Sequence, residues 1–160
     1  MRGRRIARGI LIGLVAALAL AQLVPYGHDH TNPPVTRDAV WPSARAAEIA
    51  RRACYGCHSN ETVWPWYASV APASWLVASD VAEGREELSF SEWDRPQKHL
   101  RHAAKEVREG DMPPLQYRLV HPEARLSADD RAVLIQALEA MAAARPESAH
   151  PEAGGDEDAE

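Results

Sequence analysis

The chain has 160 residues, with 18 Lys and Arg against 23 Asp and Glu, a net charge of -5 and only two cysteines. That length bounds it to one domain with appendages. No basic patch survives beyond the first eight residues, which excludes a nucleic-acid-binding surface.

The N-terminus carries Arg2, Arg4, Arg5 and Arg8 and no acid, followed by an apolar run from Ile10 to Val24 that only Gly13 and Gln22 interrupt. A basic stretch before a hydrophobic segment is the pattern of a secretory signal or a signal anchor. The positive-inside rule puts the arginines in the cytoplasm and everything after Val24 outside it. A run of about 15 residues is short against the roughly 20 a span needs, but it extends back to Ile6. Ala19-Leu20-Ala21 is an acceptable cleavage site. The expectation is that residues 1–24 are a signal peptide or anchor. Residues 6–24 would hold the chain to the inner membrane, or cleavage after Ala21 would release it to the periplasm. Both outcomes deliver the rest of the chain to an oxidising compartment. Without the four arginines, 14 basic side chains face 23 acidic ones, a net charge of -9.

Residues 25–42 contain Pro25, Pro33, Pro34 and Pro42 and read as an extended linker spacing the domain from the membrane. His28 and His30 are expected to be solvated there. Ser43 is an N-cap for a helix to about Ala53, with Ala46, Ala47, Ile49, Ala50 and Ala53 as its apolar face. Between Asn60 and Trp75 lie Trp64, Trp66, Tyr67 and Trp75, with Pro65 and Pro72 interrupting regular helix. These rings are candidates to wall a cofactor. Pro72 starts a helix over about residues 73–87, with Trp75, Leu76, Val77 and Val81 facing inward. Asp94 is read as the cap of a further helix through about Glu109, where Leu100, Ala103, Ala104 and Val107 recur at helical spacing and Gly110 ends it. Ser127-Ala128-Asp129-Asp130 resembles a capping box before a last helix to about Ala143, striped by Val133, Leu134, Leu138 and Met141. No strand is convincing. The fold class is all-α, with the domain over 43–144. Residues 145–160 hold six acids and one arginine, a composition too polar to fold, and read as a disordered acidic tail.

Cys54-Tyr55-Gly56-Cys57-His58 carries the chemistry. C-x-x-C-H spacing reads as a c-type haem attachment site. Two cysteines three apart lie about one helical turn apart, so both thiols reach the two vinyl groups on one edge of a porphyrin. The adjacent histidine is then held under the iron as an axial ligand. A redox dithiol is the first alternative, but it calls for a βαβ context. A closed zinc site is the second, but it needs four ligands and no second C-x-x-C follows. For the other axial position Met112 is the candidate, between the helix-ending Gly110 and the stiff Pro113-Pro114. His/Met ligation raises the reduction potential of a haem. His121 is the runner-up, then His99 and His102.

Cys54 to Thr62 with Trp64-Pro65-Trp66-Tyr67 resembles the bacterial haem-binding domain family, whose members carry one C-x-x-C-H. The likeness continues through Ala71-Pro72-Ala73-Ser74-Trp75-Leu76, Phe90-Ser91-Glu92-Trp93, Gly110-Asp111-Met112-Pro113-Pro114 and His121 to Ser127. The resemblance implies a small cytochrome c-like helical domain, anchored or secreted, that binds haem c through Cys54, Cys57 and His58, with Met112 matching the methionine of the family's M-P-P segment. The expected function is single-electron transfer outside the cytoplasm, with redox proteins and the membrane as partners, rather than enzymatic turnover. A haem sensor or peroxidase-like enzyme with an open distal site, and a haem-free dithiol protein, are the alternatives.

Overall fold

The computed structural model describes residues 2–145. Seven α-helices are found among them: α1 (Arg2–Ala21), α2 (Ala44–Ala53), α3 (Tyr55–His58), α4 (Ala73–Glu87), α5 (Leu100–Glu109), α6 (Leu115–Val120) and α7 (Ala128–Ala144). Short 3-10 turns occupy Trp66–Ser69 and Pro122–Ala124. The nearest approach to a sheet among the described residues is one isolated bridge between Arg37 and Glu92. The all-α reading therefore stands. The acidic tail lies outside the described residues, apart from Arg145.

Local chemistry sets the helix boundaries. Ser43 Oγ accepts a hydrogen bond from the Ala46 amide (3.1 Å) and Ser127 Oγ one from the Asp130 amide (3.1 Å), which satisfies otherwise orphaned donors at two N-termini. Gly110 ends α5 in the left-handed region, φ +88°, where a Cβ is costly. Asp130, at the capping-box position, also turns its carboxylate to α2. It pairs with Arg45 and, at 2.6 Å, with Arg52, so the two helices are clamped together.

The core gathers Ile49, Phe90, Leu100, Leu134 and Leu138 around α2, α5 and α7. Phe90 is its centre. Tyr55 stacks on it (centroids 5.4 Å apart), and Trp41 and Trp93 pack at 5.0 and 6.2 Å. Such ring contacts add to the burial of apolar area.

Four expectations are corrected. Helix α5 begins at Leu100, not just after Asp94, because Thr36 Oγ1 donates to the Asp94 carboxylate (2.6 Å) and the Gln97 side chain holds residues 89–97 in a loop. Leu76 points to solvent, 52% exposed. Residues 28–41 do not stand off as a spacer but lie along the domain: Thr36 and Ala39 amides donate to Ser91 and Phe90 carbonyls (3.0 and 2.8 Å). His30 stacks on Trp64 (4.7 Å) instead of facing water alone. No described helix is long and apolar enough to cross a membrane, so the structure leaves the N-terminal anchor as an expectation. Helix α1 has no buried residue.

Candidate functional site

Cys54 ends α2, and α3 is a single turn that carries Cys57 and His58. Neighbouring backbone holds this turn on every side. The Phe90 amide donates to the His58 carbonyl (2.8 Å), Ser59 Oγ to the Tyr55 carbonyl (2.7 Å) and Thr62 Oγ1 to the Gly56 carbonyl (2.9 Å). Arg85 on α4 donates to the Ser59 carbonyl (2.8 Å), Asn32 (2.8 Å) and Thr62 (2.9 Å). The Ser59-Asn60-Glu61-Thr62 stretch after the histidine is thus a scaffold for the turn.

Helix α4 approaches α3 so closely that no side chain fits at Gly84. A Cβ there would stand 2.8 Å from the Cys57 carbonyl oxygen and 3.0 Å from its Cβ. This contact brings the Gly84 carbonyl to 2.8 Å from His58 Nδ1, with the Leu88 carbonyl at 3.0 Å. Carbonyl oxygens only accept, so Nδ1 carries the proton and Nε2 keeps its lone pair. A hydrogen bond on one ring nitrogen that fixes tautomer and orientation is the usual support of a metal-ligating histidine. Burial holds the imidazole below its ordinary pKa against the two backbone hydrogen bonds and Glu87. It is neutral, the form that ligates.

His58 borders two adjoining cavities. One, about 210 Å³, is lined by Cys54, Cys57, His58, Met112, Gly84 and Tyr117 among others, so all four sequence-predicted site residues meet on it. The other, about 230 Å³, is lined by Cys54, His58, Phe90, Val107, Met112 and Leu138, with His99, His102 and Glu106 also on its wall. Both thiols are unpaired. Burial pushes Cys54 up to about 12 and Cys57 up to about 11, so both are neutral thiols at physiological pH. Among the described residues no group of three or more His, Cys, Asp and Glu is placed to hold a metal ion. The zinc alternative therefore finds no further ligands among the described residues.

A half-open, largely apolar slot with two thiols, a tautomer-fixed histidine and a methionine in its lining fits a porphyrin held by thioethers and an imidazole. The aromatic wall is not the expected one. Phe90 and Tyr117 line the cavities; Trp64, Trp66, Tyr67 and Trp75 line neither. Trp66, on the 3-10 turn after Pro65, is 80% exposed. His121 is also committed elsewhere. Tyr67 donates to its Nε2 (2.6 Å), its Nδ1 meets Glu123 (2.9 Å) and Tyr117 stacks on its ring (4.2 Å). Sequence reading missed Gly84, Arg85 and Tyr117. Only the Gly84-Arg85 pair inside an otherwise regular helix offered any local signal.

A family model described as a haem-binding domain matches residues 16–140. No curated protein and no solved structure matches the chain.

Proposed function

The chain belongs to the haem-binding domain family, and from that premise we propose that it is a c-type haem protein that carries single electrons outside the cytoplasm. The observation that carries this reading is the His58 ring, its Nδ1 bonded to the Gly84 and Leu88 carbonyls within a C-x-x-C-H turn whose thiols are both unpaired. Cys54 and Cys57 would hold haem c through two thioethers, His58 would ligate the iron through Nε2, and Met112 would supply a second ligand. The bound iron would supply the one-electron redox change. The chain's own part is to fix the ligands, exclude water and orient the exposed edge. Phe90, Val107 and Leu138 line one side with apolar surface, and Pro113-Pro114 stiffen the Met112 loop just after Gly110 ends α5. Met112 is 38% exposed, which supports the methionine side of the slot as the side that would meet partners. The N-terminal arginines and the apolar run to Val24 support delivery across the inner membrane, with α1 as the anchor.

Absorption spectroscopy of Met112→Ala tests the distal assignment. The reading predicts loss of the low-spin His/Met signature and ready binding of carbon monoxide. A spectrum identical to the parent's would remove Met112 as a ligand and favour an enzyme or sensor with an open site.

A further inference from the structure

Two stretches of this chain contain no Asp, Glu, Lys, Arg or His: residues 9–27 and residues 63–79. The fold joins them. Gln22, just past α1, pairs its side-chain amide with the backbone of Ala71: Nε2 donates to the carbonyl (2.9 Å) and Oε1 accepts from the amide (3.0 Å). Five residues on, Gly27 (φ +79°) lies so close to α4 that a Cβ would stand 2.5 Å from the Ser74 carbonyl oxygen. The segment leaving α1 is therefore pressed against the start of α4, and the direction in which α1 departs is fixed relative to the domain.

Around this junction the large apolar side chains face outward. Leu23, Tyr26, Trp66, Val70 and Leu76 are all exposed, Leu23 to 77%. Apolar and aromatic side chains without intervening charge, at the root of an apolar helix, match the composition of a membrane–water interface, where Trp and Tyr settle at the headgroups. The remainder of the domain is net acidic and is repelled by anionic headgroups; this face is not. We propose that the face formed by these five side chains rests in the headgroup layer of the bilayer that α1 enters, so that the domain lies on the membrane in one orientation instead of swinging on a tether. The proposal rests on the anchor reading above.

Site-directed spin labelling of the full-length haem-loaded chain in phosphatidylcholine–phosphatidylglycerol vesicles tests it. One label is placed at Leu76→Cys and a control at Leu115→Cys, a position on α6 that is likewise exposed. The unsubstituted chain, taken through the same labelling, gives the background from the native thiols. The label at position 76 should relax with oxygen dissolved in the bilayer and lose its response to an aqueous nickel chelate, while the label at 115 responds to nickel. If the protein floats with the vesicles yet both labels respond equally to nickel, docking is refuted and the anchor survives. A chain that does not float with the vesicles refutes both. Spin–spin broadening between labels at position 76 would assign the face to a second copy of the chain and likewise overturn the proposal.

Discussion

At Gly84 the absence of a side chain does two things: it lets α4 touch the attachment turn, and it delivers a carbonyl to His58 Nδ1. Gly84→Val places branched carbon against the Cys57 backbone and forces the helices apart. The expected outcome is a folded chain with much less bound haem, read as the ratio of Soret to protein absorbance; full haem content would show that the contact does not position the histidine. This residue marks where the sequence stops being readable. Cys54, Cys57 and His58 lie within five residues of the chain, and their spacing alone carries the expectation of haem attachment. Met112 stands out because a loop bounded by Gly110 and Pro113 is stiff. Gly84, Arg85 and Tyr117 act across long sequence separations, and a mid-helix glycine looks locally like a weak spot in the helix, not a contact.

Among the elements, the α2–α7 clamp is the part most open to titration. Burial works against the charge on Asp130, but the Ser127 hydrogen bond and the Arg45 and Arg52 charges outweigh it and hold the carboxyl below its ordinary value. A lowered carboxylate pKa stabilises the fold above the unfolded value, about 3.9, and that contribution is lost as pH falls through the folded value. Asp130→Asn should therefore lower the thermal midpoint at neutral pH and flatten its fall on acidification, with the two proteins converging at low pH; parallel curves would contradict the clamp. Helices α2, α4 and α7 were legible because a cap or proline and an apolar stripe coincide. Helix α5 was read too long because Asp94, a good cap by type, is taken by Thr36 on a distant segment. Helix α6 escaped notice because its leucines, Leu115 and Leu119, face solvent and form no inward stripe. The Asn60–Trp75 rings are near the attachment turn only in sequence, whereas Phe90, the single phenylalanine, reaches the slot through tertiary packing.

For the molecule as a whole, one core serves both stability and the site. Leu134 is fully buried in the cluster that includes Phe90 and Leu100, and Leu134→Ala should cost about 3 kcal/mol by urea denaturation. A loss well under about 1 kcal/mol would mean that the core collapses around the truncation. The segment read as a spacer is stitched to the same body, and the family match, which begins at residue 16, covers it as well. The proposed electron carrier requires a porphyrin bonded to Cys54 and Cys57. Intact-mass spectrometry under denaturing conditions, on protein made in a host with haem-ligation machinery, measures that directly. Covalent attachment gives the mass of the chain plus one haem, lost when both cysteines are replaced by serine; a chain of unmodified mass from such a host would overturn the c-type assignment.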